Sequence, residues 1–483
     1  MLTERLNQKR QSTNLYEQVA NHIQRLIEEG TFSSGDKIPS VRKLRDELKV
    51  SISTVMEAYR LLEDRGLIEA HPQSGYYVRT RLPKILSCPS ISTMDIKPSQ
   101  VNIADFVRMV LKDVGKRDVV QLGSLQPDPE LVPFQRLSAI LAGVIRRKKK
   151  ESVMYDQIQG YKPLRVEIAK RLLSSGCTVT PEEIIITSGC MEAILFALLA
   201  TCNPGDTIAI ESPVFFNLLE LLELLRIKAI EIPCHPESGI IIEALKNSIE
   251  DHPVKACVVN PNFSTPLGSL MPDKNKQELV SLLSEHNIPL IEDDIYGDLY
   301  FTPNRPWAAK AYDTSGMVLL CSSFSKTLAP GYRVGWIVPG KFKERIELAK
   351  SAGNYATATP QQMAIREFLI DGGYDRHLRK IRREYARRME LMCRAIGKFF
   401  PENTRSACPR GGISLWVELP KSVDSLELYK KAHEYGISFV PGPLFSVRRK
   451  YKNFIRLNSA FWSDKIEKAL ATLGHLAGEM TGR

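Results

Sequence analysis

The sequence predicts a multidomain chain: a small helical head closed by a β-hairpin, then a large α/β body on a parallel or mostly parallel sheet, with a smaller α+β region near its end. Three observations predict it. Within the first 80 residues helical periodicity gives way to two short apolar runs, and from about residue 119 β-rich runs alternate with amphipathic stretches. The length, 483 residues, exceeds what one core serves and fits two or three folding units.

The head spans 12–80. NLYEQVANHIQRLIEE sets Leu15, Val19, Ile23, Leu26 and Ile27 on one helix face, and Gly30 is its stop. After the turn FSSGDKIPS a second helix carries Val41, Leu44 and Leu48. A break at Lys49 and Val50 leads into SISTVMEAYRLLEDRG, which Ser51 or Ser53 caps and which turns Val55, Tyr59 and Leu62 inward. LIEAHPQSGYYVR then reads as strand, Pro and Gly turn, strand. Residues 81–118 read as a linker, because LPKILSCPSISTMDIKPSQ holds three prolines among small polar residues; VNIADFVRMVLKDVGK within it is a candidate docking helix.

The body spans 119–478. EEIIITSG, DTIAIES, KACVVNP, IPLIEDD and MVLLCSS are continuous apolar strands, separated by amphipathic runs such as CMEAILFALLA and KNKQELVSLLSEHN. That alternation is the mark of crossover units around a buried, mostly parallel sheet. Residues 342–398 read as long helices, and GGISLWVELP, GISFVPG and NFIRLNS supply strands to the smaller region. RRKKK at 146–150 and RHLRKIRREYARR at 376–388 read as solvated helix faces, with contact to DNA flanks as the alternative.

Apolar content of 43% and charged content of 25% are those of a chain that folds in water. The net charge of +11 favours a polyanionic partner, yet residues 1–80 hold 12 Lys or Arg against 11 Asp or Glu, a net of +1, leaving +10 for the rest. Nine cysteines without a CxxC pair point to a reducing compartment and to thiols that act as small buried hydrophobes. MLTERLNQKRQSTNLYEQ has no apolar signal core, and no run of about eighteen uncharged apolar residues occurs. The expectation is a cytoplasmic protein with no membrane span and no metal.

Helix, tight turn, helix, hairpin is an order that lets the second helix of a pair enter a DNA major groove while the hairpin reaches an adjacent surface. IPSVRKLRDELKVSISTVMEAYRLLEDRGLIEAHPQSGYYV resembles the winged helix-turn-helix of the GntR class of bacterial regulators, and NLYEQVANHIQRLIEEG matches its first helix. The resemblance implies contacts to a double-stranded DNA operator from Arg42, from Ser51, Ile52, Ser53 and Thr54 at the start of the recognition helix, and from Gly75 at the wing tip. Ser40 and Lys43 would meet phosphates. Ile52 and Met56 stand where many relatives carry arginine, so fewer charged contacts come from this helix, and a dimer reading two half-sites is the natural remedy.

In CSSFSKTLAPGYRVGW, Lys326 follows a strand and is surrounded by Ser322, Ser323, Ser325, Thr327 and Arg333. Hydroxyls and a guanidinium grip phosphate, whereas a desolvated amine condenses with a carbonyl. A phosphate-bearing aldehyde would use both. In TSGCMEAILFALL, Thr187, Ser188, Gly189 and Cys190 end a strand and open a helix whose first amides favour an anion. In IPLIEDDIYGDLYF, Asp293 and Asp294 end a buried strand close to Tyr296; a carboxylate there can pair with a protonated ring nitrogen and the phenol with a ring oxygen. Phe215 in ESPVFF offers an aromatic cover.

Together with GSLQPDPELVP, YDQIQGYKPLRVEIAKRL, NPNFSTPLG, GGISLWVELP and FIRLNSAFW, in order over roughly 119–478, these stretches resemble fold-type I pyridoxal-phosphate enzymes of the class I and II aminotransferase family. The resemblance implies that Lys326 bonds to the aldehyde of pyridoxal 5'-phosphate and later moves the α-proton, that Asp293 pairs with the pyridine nitrogen, that Tyr296 meets the ring hydroxyl oxygen, and that Phe215 stacks on the ring. Ser188, Gly189, Cys190, Ser323, Ser325 and Arg333 would surround the phosphate, Arg456 would clamp a substrate carboxylate, and Tyr155 would reach the phosphate of a partner subunit. Asp294 is read as structural. Thr265 stands where the commoner motif has an asparagine directed at the ring hydroxyl, and Leu267 where threonine is frequent; both change how the ring is tuned.

A GntR-like head joined to an aminotransferase-like body resembles the MocR subfamily of bacterial transcription regulators. What this implies is a homodimeric DNA-binding regulator whose body binds pyridoxal 5'-phosphate and senses it, or a small amino compound or amino acid. The retained Lys326, Asp293, Tyr296 and Arg456 leave a second reading open, a working aminotransferase that moves an amino group between an α-amino acid and a 2-oxo acid. A dimerisation scaffold with a vestigial site is the third.

Overall fold

The structure, a computed structural model, describes residues 14–28, 31–32, 35–64, 67–71, 74–78, 86–91, 96–111 and 119–482, without the side chains of 109–111. The chain divides into two compact units, Met1–Ile85 and Leu86–Arg483.

In the first unit, helices Leu15–Glu28, Val41–Leu48 and Ile52–Asp64 precede strands β1 (Ile68–His71) and β2 (Gly75–Val78). The strands form an antiparallel hairpin in register from Ile68 opposite Val78 to His71 opposite Gly75. Val19, Ile23, Leu44, Val55, Tyr59, Leu62, Ile68 and Val78 make one apolar core. Tyr59 is fully buried, and its hydroxyl donates to the Pro39 carbonyl at 2.5 Å, so the burial leaves no polar atom unpaired. The break expected at Lys49 is a left-handed cap, φ 54°, whose N–H returns to the Arg45 carbonyl and ends the second helix. Gly30, read as the stop of the first helix, lies outside the described residues.

The second unit opens with extended segments and the helix Ala104–Leu111. Read as a linker, this stretch is in fact stitched to the body wherever it is described. Ser99 exchanges backbone hydrogen bonds with Ala229 at 2.9 and 3.0 Å, Glu418 takes the N–H and hydroxyl of Ser90 at 2.7 and 2.8 Å, and Glu223 caps the helix through the N–H groups of Ile103 and Ala104. Val101, Ile103 and Val107 are buried, which supplies the apolar anchor that the prolines obscured.

Next come β3 (Val120–Gln121), β4 (Ile185–Thr187), β5 (Thr207–Ser212), β6 (Lys228–His235), β7 (Gly239–Ile240), β8 (Val254–Val259), β9 (Leu290–Asp293), β10 (Val318–Ser323) and β11 (Gly335–Val338). All but β3 form one eight-stranded sheet in the order β4-β11-β10-β9-β8-β5-β6-β7. The run β10-β9-β8-β5-β6 is parallel, while β11 is antiparallel to both its neighbours and β7 to β6. Strands β5, β9 and β10 are buried at every position, because helices such as Cys190–Thr201 cover the sheet. Sequence reading did not pick out β6, whose Lys228, Glu231 and Pro233 dilute its apolar run. The helices expected over 342–398 are Lys343–Gly353, Thr359–Ile370 and Gly373–Phe399.

A four-stranded sheet, in the order β12-β13-β16-β15, is made by β12 (Arg405–Ser406), β13 (Ser414–Glu418), β15 (Val440–Pro441) and β16 (Phe454–Asn458). Strand β14 (Ile437–Ser438) instead pairs parallel with β3, which draws the start of the body to its end. The basic stretch 376–388 is not a purely solvated face. Arg382 donates to the Asp298 carbonyl and the Tyr300 hydroxyl, both at 2.7 Å, and buried Arg388 pairs with Asp128 at 2.6 Å and with Glu384 at 2.7 Å. Among the described residues no helix is long and apolar enough to cross a membrane, and no group of His, Cys, Asp or Glu is placed to hold a metal ion.

Candidate functional site

Segments at or beyond the ends of β4, β5, β8, β9 and β10, with the returning β16, converge on a cavity of about 320 Å3 in the second unit. Its wall includes Lys326, Asp293, Tyr296, Phe215, Thr265, Ser325, Arg333, Cys190 and Arg456, nine of the residues singled out from sequence and scattered over more than two hundred positions. The ends of parallel strands are where an open α/β sheet leaves a crevice for a ligand.

Lys326 is half-buried, and its Nζ donates to the Leu125 carbonyl. Burial first, then the Arg456 guanidinium, lowers its pKa to about 8, against the opposing pull of Asp293. Asp293, at the end of β9, is buried and pushed up to about 6 by that burial. Its Oδ1 accepts from the Cys190 thiol at 3.2 Å and from the Ile295 N–H at 3.1 Å. Tyr296 is buried, which raises its phenol. Beside it Thr265 is buried, in a cis peptide with Pro266, and its hydroxyl faces the Tyr296 phenol.

Arg456 sits in β16 between β13 and β15 with its guanidinium over the rings of Phe216 and Phe445, at 5.6 and 5.2 Å. One nitrogen donates to the Gly123 carbonyl, and among the described residues Nε has no partner. Among the described residues no carboxylate neutralises it, and burial lowers its pKa to about 10. A buried guanidinium without a counter-ion is costly in an empty site and suited to one that takes an anion.

Arg333 has a left-handed backbone, φ 52°. Its guanidinium donates to the Ser188 carbonyl at 2.8 Å and to Ser325 Oγ at 3.4 Å, again with no carboxylate partner among the described residues. Gly189 makes room for it: a β-carbon there would lie 2.5 Å from Arg333 Nη2, and φ +96° also disfavours any other residue. Ser323 is buried with its hydroxyl accepting from the Ser325 N–H at 3.2 Å, which shapes the turn that presents Lys326.

Some expected residues take other places. Cys190, grouped with the phosphate ligands, turns its thiol toward Asp293, because the first turn of its helix points the side chain at the end of β9. Ser188 gives its N–H to Glu192 at 2.6 Å, and its hydroxyl oxygen accepts from the Asn354 amide at 3.2 Å, so a carboxylate on the same helix covers that N–H. Tyr155 is 83% exposed, against Tyr355 at 5.7 Å between ring centroids, outside the cavity of its own chain. Asp294 is held by Arg305 and by Asn262 at 2.9 Å, a structural knot.

Sequence reasoning missed the loop 123–126 and the pair Phe439 and Val440, which also line the cavity. The carbonyls of Gly123 and Leu125 hold Arg456 and Lys326, while Asn458 fixes the loop through the carbonyls of Ser124 and Gln126 at 2.5 and 3.1 Å. Main-chain acceptors leave no side-chain signature; the motif GSLQPDPELVP was the available signal.

In the first unit, Ser40 caps the helix Val41–Leu48 by accepting from the Lys43 N–H at 3.3 Å. Ser51 caps the helix Ile52–Asp64 by accepting from the Thr54 N–H at 3.1 Å, with the hydroxyls of Ser53 and Thr54 each 2.8 Å away. Arg42, Lys43, Ser51, Ile52 and Ser53 are exposed, Ile52 at 47% for an apolar side chain, and Thr54 is half-buried. Lys43 lies 3.8 Å from Glu47. Gly75 opens β2 at φ +109°, a conformation that favours glycine.

Comparison with known proteins agrees with this division. Residues 117–473 match the family described as aminotransferase class I and II, and residues 15–78 match the bacterial regulatory proteins of the gntR family. The HTH-type transcriptional regulator YjiR of Escherichia coli K12 is 38% identical over 95% of this chain and 98% of its own length. Aromatic-amino-acid aminotransferase 1 of Thermococcus litoralis is 30% identical over 78% of this chain and 92% of its own. Among solved structures, Pyrococcus horikoshii kynurenine aminotransferase, in complex with PMP, superposes with a TM-score of 0.73 at 30% identity over 77% of this chain and 94% of its own.

Proposed function

We propose a function from one premise: this chain belongs to the aminotransferase class I and II family through its body and to the gntR family of bacterial regulatory proteins through its head, the combination of a MocR-type transcription regulator. The body binds pyridoxal 5'-phosphate at Lys326, and an amino compound entering the same cavity alters binding of the head to a double-stranded DNA operator. The active form is a homodimer.

The observation that carries this reading is the set of unpaired groups in one cavity. Arg333 and Arg456 lack carboxylate partners among the described residues, and an amine of lowered pKa stands near a buried carboxylate. These residues fit the cofactor. Arg333, Ser325 and the backbone at Gly189 would hold the phosphate, Asp293 the ring nitrogen, Tyr296 and Thr265 the ring hydroxyl, and Phe215 the ring face.

Bound pyridoxal 5'-phosphate supplies an aldehyde that condenses with amines and a ring that withdraws electrons. Lys326 contributes an amine that is partly neutral near pH 7 because burial and two guanidinium groups oppose its protonation. Asp293, ionised above about pH 6, offers a negative charge where a ring N–H would donate, and Cys190 and Ile295 fix its direction. Arg456 offers a planar fork of donors to a carboxylate, beside the apolar rings of Phe216 and Phe445. The neutral amine of Lys326 would also be able to take a proton from a carbon held beside it in the cavity.

The test is borohydride reduction of protein saturated with cofactor, followed by peptide mapping and by operator titration at fixed salt with and without amino acids. A label on Lys326 and an operator affinity that shifts with an amine are expected; an affinity that no amine shifts sinks the sensing function. A second reading is favoured by one observation, that Lys326, Asp293, Tyr296 and Arg456 all line the cavity. A sensor needs no group to move a proton, so an aminotransferase activity is its natural complement. Turnover of an amino acid with a 2-oxo acid, lost in Lys326→Ala, tests it.

A further inference from the structure

Cys393 and Cys408 bring their sulfurs to 3.3 Å. Cys393 is buried in the helix Gly373–Phe399, whereas Cys408 is exposed in the loop after β12. A disulfide bond needs about 2.05 Å, so the sulfurs have only about 1.3 Å to close. The pair differs in acidity. The Cys393 thiol beside it holds Cys408 below the usual thiol range, while the same contact and burial push Cys393 well up. An exposed thiol that ionises readily, next to a second thiol that can resolve it, is how redox-responsive pairs are built.

We propose that Cys393 and Cys408 form a modification site, oxidised by hydroperoxides to a reversible disulfide. The Cys408 thiolate attacks a peroxide oxygen, the O–O bond breaks, and the leaving oxygen takes a proton to become an alcohol or water. Cys408 is oxidised by two electrons to a sulfenic acid as the peroxide is reduced. The Cys393 sulfur then attacks the Cys408 sulfur; the S–H proton and the sulfenic hydroxyl leave together as water while the S–S bond forms. A dithiol reductant returns both thiols. In a reducing compartment a disulfide of this kind is transient and reports oxidant rather than holding the fold together.

The loop that carries Cys408 is tied on both sides. Upstream, Ser406 donates to the Ser87 carbonyl at 3.0 Å, within the segment that follows the head in sequence. Downstream, the Arg410 carbonyl accepts from Phe301 at 2.7 Å and Gly412 donates to the Leu299 carbonyl at 2.9 Å. A β-carbon on Gly411 would lie 2.5 Å from the Phe263 ring, so the loop packs hard on the turn that leads to Thr265. Oxidation therefore acts on a segment that backs the cavity and anchors residues 86–90. A third thiol stands by: Cys88 is exposed at 3.3 Å from Glu237 Oε1, and burial with that carboxylate raises its pKa, which makes it the poorer nucleophile.

Full-length protein, reduced and freed of reductant, is treated with graded hydrogen peroxide, then alkylated and mapped without reduction. The expected result is a peptide linking Cys393 to Cys408, the loss of two of nine thiols, and their return with dithiothreitol. Cys88→Ser should form the same link, and Cys408→Ser, at an exposed position, should lose thiols at least ten times more slowly than wild type. Cys393→Ser should accumulate a dimedone-reactive sulfenic acid at Cys408. A link between Cys88 and Cys408, or equal rates of thiol loss in wild type and Cys408→Ser, overturns the proposal.

Discussion

At Lys326 the local chemistry is decided by which neighbours are charged. Burial and Arg456 lower the amine to about pH 8, so its neutral fraction rises about tenfold per pH unit below that value and levels above it. Covalent capture of pyridoxal 5'-phosphate, followed by stopped-flow absorbance, should accelerate accordingly between pH 6.5 and 8 and then flatten. A rate independent of pH over that span would mean that Lys326 is not the attacking amine. Gly189 is as exacting in a different way. Gly189→Ala would meet both the strain of positive φ, roughly 1–2 kcal/mol, and the Arg333 guanidinium. Cofactor affinity should fall at least tenfold with the fold intact by circular dichroism, whereas affinity equal to wild type would remove Arg333 from the phosphate's partners.

The elements impose their own demands. Strand β5 is buried throughout, and Glu211 within it is pushed up to about 8, chiefly by burial. One carboxyl oxygen accepts from the Asn260 N–H at 2.9 Å, and among the described residues the other has no partner. Because the folded pKa lies above the unfolded one, the folded state holds a proton that the unfolded chain gives up. Stability from this group is present below about pH 4.5 and is lost as pH rises toward 8, at up to about 1.4 kcal/mol per unit. Glu211→Gln should therefore gain stability relative to wild type by roughly 3 kcal/mol between pH 5 and 8 in urea unfolding. A constant difference across that range would contradict a neutral buried carboxyl. In the helix Gly373–Phe399, Arg388 joins Asp128 and Glu384 beneath the surface. Arg388→Ala strands the Asp128 carboxylate, and a loss of about 3 kcal/mol is expected from the same measurement. The sequence showed this helix's charges but not which of them turn inward, since that depends on where Asp128 and Asp298 arrive from distant segments.

For the molecule as a whole, charge and recognition are placed in different units. The DNA-binding helices belong to a stretch of net charge +1, and the excess lies in the body. Few phosphate contacts per head follow, so each matters. Arg42→Ala should weaken operator binding about tenfold and reduce the slope of log affinity against log salt by about one, while cofactor binding is unchanged. An unaltered salt slope in fluorescence anisotropy would exclude a phosphate contact from Arg42. Binding measured per dimer should also exceed that of an isolated head by far more than twofold, because two half-sites share one cost of association.

Much of this was legible in the chain itself, for physical reasons. Apolar runs of strand length separated by amphipathic helices determine a buried, mostly parallel sheet, and residues such as Lys326, Asp293, Tyr296 and Arg456 carry their chemistry in their side chains wherever they lie. Helix caps at Ser40 and Ser51 act within three residues, so they too are written locally. Tertiary structure alone decided what depends on approach from afar: the carbonyls of Gly123 and Leu125 that steady Arg456 and Lys326, the anchoring of Ser90, Ser99 and Ile103 on the body, the turn of Cys190 toward Asp293, and the meeting of Cys393 with Cys408. A backbone carbonyl has the same identity at every position, and a thiol pair exists only when two elements set their sulfurs side by side.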